Sequence, residues 1–156
     1  MAPQPSELTR HRAAEAWLGD AVADLANARS LSLHRDEGTA PFGAAFHAEQ
    51  AVEKGLKSLL VYHGIGYPPK HDLGLLISLL PGEISSASAP IAGLTVYAVE
   101  QRYVAGAANP MSLNDRPTWA DAEEAISIAD RALATISYDL ATAFAQAEED
   151  TDQEQV

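Results

Sequence analysis

The sequence predicts an all-α protein, an antiparallel helical bundle of four long helices plus one short helix. Apolar residues recur at steps of three and four in several long stretches, which is the period of a helix with one buried face. Glycine and proline interrupt this period between the stretches, and no stretch alternates as a strand would. The 156 residues, 47% of them hydrophobic, suit one domain with its own core.

The first long helix is predicted over Glu7–Leu33. Its other face carries Asp20, Asp24 and Arg29. A loop rich in glycine and charge leads to the second helix, so we expect the two helices to pack antiparallel. The apolar side of the first helix holds Ala14, Trp17, Leu18, Ala21, Leu25 and Ala28.

The second helix, in the stretch from Phe42 to Leu76, combines a core face with a polar stripe. Gly64 can adopt the left-handed conformation that closes a helix, and Pro68 and Pro69 cannot resume it. The polar stripe could bind a ligand or tie helices together by hydrogen bonds. Its members recur at helical spacing: His47, Gln50, Lys54 and Lys57. The core face holds Ala45, Ala48, Val52, Leu56, Leu59 and Leu60.

A short leucine-rich helix follows the segment Lys70-His71-Asp72-Leu73, with Asp72 or His71 as its N-cap. A fourth helix is predicted after Pro90, on the line Ile91, Leu94, Ala98 and Arg102. Because Arg102 ends an apolar line, its charge must either pair with a carboxylate or belong to a polar site.

The last helix begins near Pro117 and Thr118, and Asp121 stands three residues after Thr118 as in a capping box. Apolar residues then alternate at steps of four and three as far as Ala147, and this seam could serve the core or a dimer. The expected organisation is a disordered leader over 1–6, the bundle over 7–147 and an acidic disordered tail over 148–156.

The amino-acid composition argues against several classes of function. The net charge of −12 argues against extended DNA binding, and no apolar run is long enough for a membrane span or signal peptide, so a cytoplasmic protein is expected. The absence of cysteine excludes disulfides, thiolate metal sites and thiol catalysis. No two histidines have the spacing of a helical zinc pair, and neither a metal nor a cofactor is expected.

Two segments resemble a known family. Residues 46–54, FHAEQAVEK, resemble the FHAQQAxEK signature of HEPN domains, and residues 70–73, KHDL, resemble their THDL segment. Further matches lie at Trp17-Leu18, Asp24-Leu25, Tyr97 and Arg102-Tyr103, so that the resemblance covers roughly residues 15 to 140. It implies a helical bundle, commonly dimeric, of prokaryotic origin and often encoded beside a minimal nucleotidyltransferase in a toxin-antitoxin or defence-type pair.

Some HEPN branches are metal-independent ribonucleases with an Arg and a His four to six residues apart. Here, six intervening residues after Arg102 lead to Asn109, which cannot act as a general base. Arg29 and His34 have the spacing but stand at the end of the first helix, and we treat that pair as chance. The usual ribonuclease motif is therefore not intact, and whether the chain is an enzyme stays open.

Three functional interpretations follow from the resemblance. The first is a nucleotide- or RNA-associated accessory module acting with a nucleotidyltransferase. The resemblance also implies that the protein is a homodimer. The second is an endoribonuclease in which Arg102 works with His71 or His47. The third is a purely structural dimeric interaction module. The candidate ligand-binding residues are His47, Gln50, Lys54, His71, Asp72, Arg102 and Tyr103.

Overall fold

The fold is all-α, as the sequence predicts. The computed structural model describes residues 6–81, 91–99 and 116–153. Within these ranges there is no strand, and two 3-10 turns, Arg35–Glu37 and Gly93–Thr95, join the α-helices. The helices are α1 (Glu7–Leu33), α2 (Pro41–Tyr62), α3 (Leu73–Leu79), α4 (Val96–Val99) and α5 (Trp119–Gln153).

Helix α2 lies at the centre of the bundle and contacts α1, α3, α4 and α5. Helix α1 runs antiparallel to it, because His11 near the start of α1 contacts Tyr62 at the end of α2, whereas Asp24 bonds to His47 in the first half of α2. The rings of Tyr62 and Phe144 are also in contact, which places the C-terminal part of α5 beside the end of α2. Helices α2 and α5 are therefore parallel to each other.

The core is built mainly of alanine and leucine, which allows the helices to approach closely. The closest approach is at Gly55 of α2, where an added Cβ would lie 2.9 Å from Leu133 and 3.0 Å from Ile136 of α5. The largest apolar side chains that are fully buried come from α2, α3 and α5: Leu56, Leu59, Leu60, Leu73, Leu76 and Leu140.

The helix ends follow local chemistry. Gly64 has a φ of 67° after α2, and the amide of Leu75 donates to the Asp72 side chain at 3.0 Å, so Asp72 is the N-cap of α3. Thr118 and Asp121 form the predicted capping box, with the Thr118 amide donating to Asp121 at 2.6 Å and the Asp121 amide donating to the Thr118 hydroxyl at 3.2 Å.

The end of α5 differs from the expectation. The helix continues to Gln153, so residues 148–153 are helical where the sequence predicts a disordered acidic tail. The physical reason is that this segment contains neither glycine nor proline and includes good helix formers such as Glu and Gln, so nothing stops the helix at Ala147.

The predicted fourth long helix is only partly described. Leu94 is buried and belongs to the core, and the 3-10 turn Gly93–Thr95 continues directly into α4. Arg102 and Tyr103 lie outside the described residues, as does the leader before Ser6. None of the helices in the described ranges combines the length and the apolar character needed to cross a membrane.

Candidate functional site

The first polar cluster on α2, here called the Asp24 cluster, consists of Asp24, His47 and Lys54. Asp24 is 8% exposed, and its two oxygens accept hydrogen bonds from His47 Nδ1 at 2.8 Å and from Lys54 Nζ at 2.5 Å. Both partners lie on α2, so the carboxylate of α1 joins the two helices. His47 and Lys54, two of the candidate ligand-binding residues, are thus held by a buried acid.

This position of Asp24 corrects the sequence interpretation, which placed it on the face of α1 other than the apolar one. The reason is geometric. Asp24 follows Ala21 by three residues and precedes Ala28 by four, and both alanines are fully buried, so all three side chains lie on one line facing α2. A carboxylate is tolerated there because two nitrogen donors meet it.

The second cluster, here called the Glu53 cluster, consists of Glu53, Lys57, His71 and Gln50. The Glu53 side chain is 3% exposed. Its Oε1 accepts from Lys57 Nζ at 2.6 Å, and its Oε2 accepts from His71 Nδ1 at 2.8 Å and from Gln50 Nε2 at 3.4 Å. Burial raises the pKa of Glu53, but the hydrogen bonds from Lys57 and His71 outweigh it, and the pKa lies below its ordinary value. Glu53 is therefore ionised at neutral pH.

Lys57 is enclosed by aromatic rings as well as paired with Glu53. Its Nζ lies 5.2 Å from the ring centre of Trp17 and 5.4 Å from that of Tyr67, within the range of cation–π attraction. Only 13% of its side chain is exposed. Lys57 therefore neutralises Glu53 inside the protein and is poorly placed to meet a ligand.

Gln50 connects the buried acids of α2. Its Nε2 donates to Glu49 at 2.8 Å and, at the longer distance of 3.4 Å, to Glu53. Glu49 is fully buried. The amide of Gln50 is therefore engaged with two carboxylates of its own helix, and these bonds do not join α2 to another helix.

A pocket of about 600 Å³ opens beside the Glu53 cluster, between the start of α3 and the segment that leads into α4. Its wall is fixed by two hydrogen bonds from backbone amides: the amide of Leu73 donates to Thr95 Oγ1 at 3.1 Å, and the amide of Leu75 donates to the Asp72 side chain. The pocket is lined by Lys70, His71, Asp72, Ala92, Gly93, Thr95 and Val96.

The polar groups of this pocket are varied. Lys70 supplies an ammonium, Thr95 a hydroxyl and Asp72 a carboxylate. His71 is 45% exposed, and since its Nδ1 is bonded to Glu53, Nε2 is the ring nitrogen left for a ligand. A ligand with both anionic groups and hydroxyls would find partners for each.

The structure thus separates the candidate residues that it describes, and Gln50, bonded to Glu49 and Glu53 of its own helix, lies apart from the other four. His71 and Asp72 meet in the pocket, while His47 and Lys54 belong to the Asp24 cluster on the α1 side of α2. Sequence reasoning did not select Glu53, Lys70 or Thr95. The spacing of four residues between Glu53 and Lys57 signals an ion pair, but the sequence does not show that His71 returns to the same carboxylate.

Comparison with known proteins agrees with this architecture. Residues 14–141 match the model of the HEPN domain. A crystal structure of ST0689, an archaeal HEPN homologue, is similar, with 25% sequence identity and a TM-score of 0.62 over 81% of this chain and 97% of that chain. No curated protein sequence matches this chain. Since the family model spans most of the sequence and both signature segments lie within it, the chain belongs to the HEPN domain family.

Proposed function

We propose that this HEPN protein is a nucleotide- or RNA-associated accessory module that acts with a nucleotidyltransferase in a toxin-antitoxin or defence-type pair. The observation that supports this most directly is the pocket lined by Lys70, His71 and Asp72, which belong to the segment that matches the family's THDL motif. Its volume of about 600 Å³ falls in the range of small-molecule sites.

The charges around the pocket favour a phosphate-bearing ligand. The chain carries a net charge of −12, so a phosphate is repelled by most of its surface and needs a local cation. Lys70 provides that cation at the rim, and the hydroxyl of Thr95 can donate to a phosphate oxygen because its oxygen already accepts from Leu73.

Calorimetric titration with AMP, ATP and a short single-stranded RNA tests the binding function. We expect at least one of these to bind, and Lys70→Ala to weaken that binding about tenfold, because a charge-assisted hydrogen bond is lost. Arg131→Ala, which removes an exposed cation on α5, serves as the control. Absence of binding at millimolar concentration, or equal losses in both variants, would contradict the proposal.

The partner function has its own test. Co-expression with a minimal nucleotidyltransferase, the kind of partner that this proposal names, should give a complex that copurifies. Light scattering of the free protein should give twice the chain mass if it is a homodimer, as is common in the family. A monomer that copurifies with nothing would remove both parts of this proposal.

A second candidate function is a metal-independent endoribonuclease, favoured by the hydrogen bond between Glu53 and His71. A carboxylate that orients an imidazole is the arrangement used by general bases, and here Nε2 could accept the proton of an RNA 2′-hydroxyl. Cleavage of a mixed-sequence RNA in the presence of chelator, abolished by His71→Ala and Arg102→Ala, would support it. A well-folded protein that neither cleaves RNA nor binds nucleotides would instead be a structural interaction module.

A further inference from the structure

We propose that Glu53 is a positioning residue, which keeps the proton of neutral His71 on Nδ1 so that Nε2 accepts a hydrogen bond from a ribose hydroxyl in the pocket. This inference rests on the proposed nucleotide function and adds to it the part of the ligand that His71 recognises. Glu53 itself does not line the pocket and acts only through the imidazole.

The tautomer follows from hydrogen-bond chemistry. An ionised carboxylate has no proton to donate, so the 2.8 Å contact between Glu53 Oε2 and His71 Nδ1 requires the hydrogen to be on Nδ1. Glu53 cannot turn away, because Lys57 holds its other oxygen at 2.6 Å and the side chain is almost fully buried on the central helix. A neutral His71 must then carry its lone pair on Nε2.

The other polar groups of the pocket indicate what this acceptor meets. Lys70 and the Thr95 hydroxyl are donors suited to phosphate oxygens, whereas Nε2 of His71 and the carboxylate of Asp72 are acceptors. Acceptors need hydroxyl or amino donors, and in a nucleotide the ribose diol supplies two hydroxyls close to the phosphate. The pocket therefore distinguishes a ribonucleotide from an analogue without those hydroxyls.

The Asp24 cluster offers a matched control within the same molecule. There too a buried carboxylate contacts a histidine through Nδ1 at 2.8 Å and also binds a lysine of α2. His47, however, is not among the residues lining the pocket, so Asp24→Asn changes an equivalent pair without touching the proposed contact.

The first measurement is the tautomer of His71, read from nitrogen-15 NMR of the imidazole at about pH 8, where free histidine is neutral. We expect the Nδ1-protonated form in the parent protein and in Asp24→Asn. In Glu53→Gln the side-chain amide can either donate or accept, and a mixture of tautomers should appear. If Glu53→Gln does not fold, Glu53→Asp takes its place, because the shorter side chain moves the carboxylate away from His71 and keeps its charge. An Nε2-protonated His71 in the parent, or a His71 spectrum that is unchanged in the folded Glu53 variants, would overturn the positioning role.

The second measurement compares the binding of AMP with that of 2′,3′-dideoxyadenosine monophosphate. We expect AMP to bind at least about fivefold more tightly, as one net hydrogen bond provides, and Glu53→Gln to remove most of this preference. Equal affinities in the parent would overturn the ribose contact. If neither nucleotide binds, the proposed function and the ribose contact both fail, whereas the NMR result still decides whether Glu53 positions His71.

Discussion

Asp24 of α1 and His47 of α2 are joined by a hydrogen bond of 2.8 Å between Oδ1 and Nδ1, and Lys54 binds the other oxygen of the same carboxylate. Half of the polar stripe that the sequence shows on α2 is thus directed at a neighbouring helix. The arrangement satisfies a buried acid with two donors, and it fixes the register between the two helices that make the most extensive contact in the bundle.

Replacing this acid should weaken the fold. Asp24→Ala removes two charge-assisted hydrogen bonds between α1 and α2, and we expect a loss of about 1–3 kcal/mol in the free energy of unfolding, measured by urea denaturation. His47 and Lys54 are partly exposed, so water can solvate them when the carboxylate is removed, and this keeps the loss within that range. Asp20→Ala, at an exposed position on the same helix, should change stability by less than about 0.5 kcal/mol. Equal effects of the two substitutions would contradict the interpretation.

Stability should also depend on the ionisation of Glu53. Burial raises the pKa of Glu53 and the hydrogen bonds from Lys57 and His71 lower it by more, so the pKa in the folded protein lies below that in the unfolded chain, which is about 4.3. A lowered folded-state pKa stabilises the protein above the unfolded value, and this contribution is lost as the pH falls through the folded pKa. We therefore expect Glu53 to contribute to acid unfolding below about pH 4.3.

Comparison of the parent with Glu53→Gln isolates this contribution. The free energy of unfolding should fall less steeply with acidification in the variant, because the other carboxylates titrate in both proteins and this one is absent. Urea denaturation at a series of pH values between about 7 and 3 measures the two slopes. Parallel curves would mean that Glu53 titrates alike in the folded and unfolded states.

Local signals explain why so much of the fold could be predicted. The bounds of α1, the left-handed Gly64 and the cap at Asp72 each depend on residues within a few positions of one another. The contacts of Asp24 with His47 and Lys54, and that of Glu53 with His71, could not be predicted in the same way, because these partners are 18 to 30 residues apart in sequence and meet only after the helices pack. From the sequence alone, a carboxylate that will be buried cannot be distinguished from a solvent-facing one until its partners are known.

The capping box of α5 gives a test of one of these local signals. The amide and the hydroxyl of Thr118 both donate to Asp121, and these bonds, the amide bond first, lower the pKa of that carboxyl. Thr118→Ala should cost about 1 kcal/mol, measured by thermal unfolding, because the amide of Asp121 loses its acceptor. Thr142→Ala, on an exposed face within the same helix, should be neutral or slightly stabilising because alanine is the better helix former. If Thr142→Ala lowered the stability as much as Thr118→Ala, the loss would be due to the removal of a threonine and not to the removal of the cap.

The close approach of α2 and α5 at Gly55 should tolerate no larger side chain. A Cβ there would lie 2.9 Å from Leu133 and 3.0 Å from Ile136, both of which are buried in the core. Gly55→Val therefore forces these side chains, or the two helices, apart, and overpacking of this kind costs about 1–3 kcal/mol.

The same substitution at Gly19 is the matched control, since that glycine lies on the exposed side of α1 with no atom within 4 Å of an added Cβ. Valine is a somewhat better helix former than glycine, so Gly19→Val should leave stability unchanged or raise it by less than about 0.5 kcal/mol. Urea denaturation of the two variants compares the sites directly. A Gly55→Val protein as stable as Gly19→Val would show that α5 can move away from α2 at little cost, and that the short distance at Gly55 does not hold the parallel pair of helices in place.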